Sequence, residues 1–329
     1  MPTQKVLVLG DGFVASLLRE SIVENHTPFD LRISPVDLCD EAGLVEEIRT
    51  SGADIVINTA AKTDIDWCER NKETAFRVNV LGADRAARAS AERGAYFVQF
   101  SSGCLQESRG PDDVKREDDP IDPLCFYAWT KAWAENLIFD RCRKQGLKAL
   151  AIRPRLLISS RPSKRNSLLK LLTYSRFIDV EQSATVAEDM VEALWTLVQR
   201  RVTGAFNVAN PGLISPFEIA TMLQSAIDPK MQLVRVTRDE LDRLTYVRRI
   251  RSVLSIDKLR EHAIELGDVK VRTRATIDRL RLRLASAEGR EAVDQTAADT
   301  RAKLRPLANG NPREGAGTEC HPRSVPRTL

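Results

Sequence analysis

The segment from Lys5 to Ala15 constrains this chain more than any other. A short apolar run, KVLVL at Lys5–Leu9, enters Gly10-Asp11-Gly12, and Phe13, Val14, Leu17, Leu18 and Ile22 follow at helical spacing. That order predicts a strand, a glycine turn and a helix. In such a turn, Gly10 and Gly12 let the backbone approach a pyrophosphate. The free N–H groups of the helix start, at Phe13 and Val14, face the same ligand. The pattern G-x-G-x-x-A, in this context, predicts a dinucleotide site.

The same alternation continues for about 150 residues. Further strands are predicted at Phe29–Ile33, Asp54–Asn58 (DIVIN), Tyr96–Phe100 (YFVQF) and Lys148–Ile152 (KALAI), with helices over Ala42–Ile48, Glu69–Arg93 and Tyr127–Lys144. Strands alternating with helices imply an α/β fold: a Rossmann-like, doubly wound parallel sheet covered on both faces. Ligands bind such sheets at the carboxyl ends of the strands. Asn58, Ala60 and Ala61 lie at one such end, and Ser102 and Cys104 at another.

The second part is more mixed. It offers helices at Val186–Gln199, Asp257–Glu265 and Arg272–Leu284, strands at Gly204–Val208 and Gln232–Val236, and a capping box with proline at Ser215-Pro216-Phe217-Glu218. The expected division is residues 1–160 as an NAD(P)-binding domain and 161–285 as a smaller α/β substrate-binding portion. Residues 286–329 lose apolar periodicity and read as a disordered tail.

Composition narrows the function. A formal net charge of +4 over 329 residues and 5% aromatics do not suggest a nucleic-acid binder. Six cysteines without a CxxC pair and three histidines predict no structural metal. No signal peptide or membrane span is visible, so a cytoplasmic setting with reduced thiols is expected.

Two further residues carry chemistry. Tyr127 and Lys131, four apart on a predicted helix, share a face. An ammonium beside a phenol favours the phenolate and lowers a pKa that starts near 10. Such a tyrosine exchanges a proton with a carbonyl or alkoxide. The hydroxyl of Ser102 at a strand end can hold the same oxygen. Arg32, near the end of the second strand, is a candidate for the 2′-phosphate of NADP, with NAD as the alternative. Arg153 and Arg155 after the fifth strand, and the cluster Arg248, Arg249 and Arg251, are candidates for a diphosphate. Trp67 is expected to anchor the sheet, and Trp129 and Trp133 to pack in the core.

Glycine turn, strand-end serine and YxxxK stand in the order of the short-chain dehydrogenases. The chain resembles the extended short-chain dehydrogenase/reductases, and within them the dTDP-4-dehydrorhamnose reductases and the bifunctional nucleotide-rhamnose synthases (3,5-epimerase/4-reductase). The likeness rests on Asp66-Trp67-Cys68-Glu69, Arg77-Val78-Asn79-Val80, Ser102-Gly103-Cys104, Phe126-Tyr127 through Lys131-Ala132, Arg153-Pro154-Arg155, Asn166 to Val186, and Phe206-Asn207-Val208-Ala209-Asn210-Pro211-Gly212 with Ser215. It covers about residues 5–284.

The resemblance implies a nucleotide-linked 4-keto-6-deoxyhexose as substrate and hydride delivery from NAD(P)H to carbon 4. In it Tyr127 is the proton donor, Lys131 holds the nicotinamide ribose and Ser102 polarises the ketone. It implies that Cys104 and Lys170 form a pair for epimerisation at carbons 3 and 5, and it suggests a homodimer. Other nucleotide-sugar epimerases or dehydratases, and non-catalytic NADP-binding regulatory subunits, belong to the same group. The chain departs from the family in two places. Its glycine turn is one residue shorter than GxxGxxG, and Arg249 to Ser255 replaces R-S-N-N-E-L-D.

Overall fold

A computed structural model describes residues 3–25 and 28–308. The chain opens with β1 (Gln4–Leu9), α1 (Phe13–Asn25), β2 (Phe29–Ser34), α2 (Glu41–Ser51) and β3 (Ile55–Asn58). Next come α3 (Ile65–Arg70), α4 (Lys72–Phe76), a π-helical turn (Arg77–Gly82) and α5 (Ala83–Arg93). These are followed by β4 (Tyr96–Phe100), β5 (Val114–Lys115), α6 (Phe126–Gln145) and β6 (Ala149–Pro154).

One parallel sheet of six strands organises the molecule, and its sixth strand comes from far along the chain. After β7 (Leu157–Ile158), α7 (Ser167–Leu172), β8 (Arg176–Ile178), β9 (Thr185–Val186) and α8 (Ala187–Gln199), the strand β10 (Gly204–Val208) joins the edge beside β6. The order is β10-β6-β4-β3-β1-β2. The remaining elements are α9 (Pro216–Ala226), β11 (Val234–Val236), α10 (Arg238–Leu244), β12 (Val253–Leu254), α11 (Asp257–Glu261), α12 (Val269–Leu284) and α13 (Ala287–Ala308). This is the doubly wound α/β fold expected. The chain returns to the sheet well past residue 160, because α8 and β10 complete it.

Both sheet faces are buried, so strand residues are apolar in succession rather than alternately. Val6 and Val8 point into one core with Leu18, Leu194 and Phe206, while Leu7 and Leu9 point into the other with Leu44, Ile48 and Phe97. A third core, with Leu168, Leu172, Ile219 and Leu280, holds the smaller portion together. Among the described residues, no helix is long and apolar enough to cross a membrane, and no cluster could hold a metal ion.

Two elements differ from the sequence expectation. The single helix read over 69–93 is broken. Asn71 (φ −126°, ψ 53°) ends α3, and its side-chain amide donates to the Trp67 carbonyl at 2.9 Å. The π-helical turn that follows places Asn79 inward, where its side chain clamps both backbone groups of Lys62 (2.8 and 2.9 Å) and donates to Thr130 Oγ1 (3.0 Å). Such π-turns mark functional sites more often than ordinary helix. The other difference is the expected tail from 286, which begins instead as the helix α13. Its buried face is made of small residues, Ala292, Thr296, Ala297 and Thr300, and Thr300 shares a hydroxyl hydrogen bond with Thr173 after α7 (3.1 Å). The rest of that expectation, from residue 309 on, lies outside the described residues.

Candidate active site

The order of strands reverses between β1 and β3. There the chain can leave in opposite directions and a crevice opens at the strand ends. Gly10 closes β1 on this crevice with φ +91°, and a β-carbon on it would lie 2.9 Å from Ala60 Cβ after β3. Only glycine accepts both that backbone and that contact. Gly10→Ala is therefore expected to lower the unfolding free energy by about 1–3 kcal/mol and to weaken dinucleotide binding; urea denaturation and a cofactor titration would check both.

A cavity of about 490 Å³ occupies the crevice. Gly10, Gly12, Phe13, Val14, Ala60 and Ala61 line it, and so do Ser102, Cys104, Tyr127, Lys131 and Lys170. The expected sites from five separate segments thus meet in one cleft. The glycines leave a backbone cradle that a β-carbon would fill, and α1 presents its N-terminus to it. The donor set fits a dinucleotide.

Local structure explains the alignment of the catalytic candidates. Glu69 accepts from the Phe126 backbone N–H at 2.9 Å, which fixes the start of α6. Asn79, through Thr130, ties the same helix to the segment after β3. Lys131 Nζ donates to the Phe100 carbonyl (2.9 Å) at the end of β4. Tyr127 hydrogen-bonds the Ser102 hydroxyl, and that hydroxyl also accepts from the Cys104 N–H at 3.2 Å. Leu156, also in the cavity wall, takes φ +42°, a strained backbone of the kind active sites hold.

Burial sets the electrostatics. It pushes the Tyr127 phenol well above its ordinary value, and the Ser102 hydrogen bond only partly opposes this. The spacing alone predicts that Lys131 lowers that pKa; in the fold, removal from water dominates and raises it. Burial also lowers Lys131 to about 8, against an opposing pull from Glu135. Cys68 and Cys125, beneath the tyrosine, are pushed up to about 12 and about 11, burial again being the main cause.

Several candidates fall elsewhere. Arg153 is buried in an ion pair with Glu135 (2.6 Å) and donates to the Glu117 carbonyl (3.0 Å), so it faces the interior and no ligand. Arg155 donates to the Ile250 carbonyl (2.7 Å) and to Gln182, tying the sheet to the second portion. Asn58 is buried, bonded to Gln99 (3.0 Å) and to the Ala60 N–H (3.2 Å); it positions Ala60 from behind the cavity. Arg32 pairs with Glu47 at the surface (2.8 Å) and is not in the cavity wall. Arg248 pairs with Glu107 and Asp242, and Arg251 donates to the Glu181 carbonyl. Arg249 bonds Asp66 at 2.6 Å and lines a second cavity of about 590 Å³, together with Trp67 and Lys170. Trp67 is thus a wall of that cavity and not a sheet anchor. Trp133 packs edge-on against Phe76 and Phe126, while Trp129 is 40% exposed.

Sequence reasoning missed some of the wall. Asp37 and Leu38, just after β2, line the cleft, as do Lys62, Thr63 and Arg165. Asp37 lies three residues beyond the strand end, so a search confined to that end passes over it.

Strand order, glycine cradle and the Ser102–Tyr127–Lys131 cluster define a dehydrogenase/reductase of the short-chain type. The profile of one family, described as the RmlD substrate binding domain, matches residues 4–282, and the chain belongs to that family. A bifunctional dTDP-4-dehydrorhamnose 3,5-epimerase/dTDP-4-dehydrorhamnose reductase of Arabidopsis thaliana is 29% identical over 243 residues, 71% of this chain and 79% of that protein. A trifunctional Arabidopsis protein, a UDP-glucose 4,6-dehydratase with 3,5-epimerase and UDP-4-keto-L-rhamnose-reductase functions, is 27% identical over 82% of this chain, which spans only 41% of it. Among solved structures, the UDP-rhamnose synthase of Acanthamoeba polyphaga mimivirus superposes with a TM-score of 0.75 at 21% identity, covering 84% of this chain and 99% of that one. A dTDP-4-dehydrorhamnose reductase of Bacillus anthracis, solved with NADP, superposes with a TM-score of 0.74 at 19% identity over 83% and 98%.

Proposed function

We propose that this protein is an NADPH-dependent oxidoreductase that reduces carbon 4 of a dTDP- or UDP-linked 4-keto-6-deoxyhexose in nucleotide-rhamnose formation. NAD is the alternative cofactor. One observation carries the reading: the glycine turn and the Ser102, Tyr127 and Lys131 side chains converge on one cleft, in a chain whose relatives bear reductase names.

When bound, the cofactor supplies the hydride. Lys131 holds its nicotinamide ribose, and Gly10, Gly12, Phe13 and Val14 its pyrophosphate. Ser102 polarises the ketone. As the carbonyl electron pair moves onto oxygen, Tyr127 gives that oxygen its proton, and a phenol kept protonated by burial is suited to this direction. NADPH oxidation, measured with dTDP- and UDP-linked 4-keto-6-deoxyglucose, tests the reading. Cofactor bound but never oxidised would sink it and leave a non-catalytic, regulatory binder.

Cys104 and Lys170 line the same cleft as Tyr127, which favours a coupled 3,5-epimerisation. Protons beside a ketone are acidic because the enolate spreads charge onto oxygen. A thiolate and a lysine are suitable groups to remove and return them. Cys104→Ala is expected to abolish deuterium uptake at carbons 3 and 5 while Tyr127→Phe retains it; uptake indifferent to Cys104→Ala would reject the assignment. The reading carries with it a homodimer and a cytoplasmic setting, the latter in keeping with five free cysteines among the described residues.

A further inference from the structure

The loop before α7 sends Arg165 back across the cleft to the glycine turn. A β-carbon on Gly12 would lie only 2.7 Å from Arg165 Nη1, so the guanidinium rests directly on the turn. The same side chain lines the catalytic cleft, the second cavity, and an opening between α1 and α13 where Glu288 and Glu291 stand. Those carboxylates do not neutralise it. Its neighbour Arg161 takes Glu20 at 2.7 Å and Glu288 at 3.9 Å, whereas Arg165 has no ion pair among the described residues.

We propose that Arg165 binds the pyrophosphate of the dinucleotide, its guanidinium acting beside the glycine turn and the N-terminus of α1. The inference rests on reading the cleft as a dinucleotide site. A helix N-terminus offers about half a positive charge, which does not balance a doubly anionic pyrophosphate. This turn is also one residue shorter than the family pattern and carries a carboxylate of its own, Asp11, in the cavity wall. A guanidinium offers two parallel N–H donors that match phosphate oxygens. Gly12 is what lets it come that close, so the second glycine of the motif serves the arginine as well as the ligand. Arg165 is a polar-loop residue with no local signature, and only the tertiary fold brings it to the turn.

Equilibrium titrations of the full chain test this, with NADPH in one arm and dTDP or UDP in the other. R165A is expected to weaken NADPH about ten- to a hundredfold, the worth of a charge-assisted hydrogen bond, and to leave dTDP and UDP binding unchanged. R165K, which keeps the charge but not the fork, should recover part of the loss. Unchanged NADPH affinity in R165A would overturn the proposal. So would a loss confined to dTDP and UDP, which assigns the arginine to the sugar nucleotide, or an equal loss for all ligands, which marks a general change in the cleft. Wild-type protein that binds NADPH tightly but reduces no 4-keto sugar would sink the proposed reaction and leave this assignment standing.

Discussion

Replacing Tyr127 with phenylalanine is expected to lower kcat about 100- to 10,000-fold, the usual worth of a positioned proton donor, while NADPH binds nearly as before. The substitution removes one oxygen and keeps the ring, which packs with Cys68, Cys104 and Cys125. It also frees the Ser102 hydroxyl from the phenol without disturbing its bond to the Cys104 N–H. A merely structural tyrosine would show the reverse pattern: a lower melting temperature and a kcat close to wild type. Steady-state kinetics beside a thermal melt separate the two.

The pH dependence follows from Lys131. Its native value is about 8, against an ordinary 10.5. Reduction that depends on its charge should decline as pH rises through about 8, and the wild-type kcat profile checks this. Stability should move the other way over the same range. Below about 8 both states hold the proton and the native state bears the full cost of a buried ammonium. Above it the native state sheds the proton while the unfolded chain keeps it up to 10.5, so stability rises with pH. Cys68 and Cys125 oppose this at higher pH. Their thiols ionise near 9.0 when unfolded and only at about 12 and about 11 when native, so their contribution is lost as pH climbs beyond 9.0. Together they predict a stability maximum near about pH 9, which urea titrations across that range would reveal.

What could be read from the sequence was what is local. The run KVLVL and the GDGFVA turn encode a strand, a turn and a helix within a dozen residues, and the fold needs nothing distant to make them. Tyr127 and Lys131 were legible for the same reason, since four residues make one turn of helix. What the sequence hid depends on partners far along the chain. The break at Asn71 and the π-turn at Asn79 are held by Trp67, Lys62 and Thr130. Asn58 looked like a ligand because it ends a strand at the right edge of the sheet, yet Gln99 on the next strand draws its side chain inward. The helix α13 escaped because alanine and threonine bury its face, and neither gives a strong apolar period.

Arg153 is the sharpest case, and it sets the other large expected effect. Glu135→Gln should cost about 3–5 kcal/mol of stability, the range for breaking a buried ion pair from one side. Read as a diphosphate cation, Arg153 is instead buried with Glu135, Nε and Nη2 lying 2.6–3.2 Å from its carboxylate oxygens, with side-chain exposures of 7% and 4%. Removing the carboxylate's charge leaves a guanidinium in the interior facing only neutral acceptors, the new amide oxygen and the Glu117 carbonyl, while the amide N–H groups point a donor at a donor. Arg153→Leu with Glu135→Leu, which removes both charges and fills the space, should regain much of that loss. The single variant should also shift catalysis, because Glu135 is what opposes the burial of Lys131. Without that negative charge the lysine gives up its proton at a lower pH, and the descending limb of kcat moves below about 8. A packing role alone predicts a melting shift with the limb unmoved; an electrostatic role predicts both. The pair thus ties β6 to α6 and at the same time keeps the lysine of the site charged.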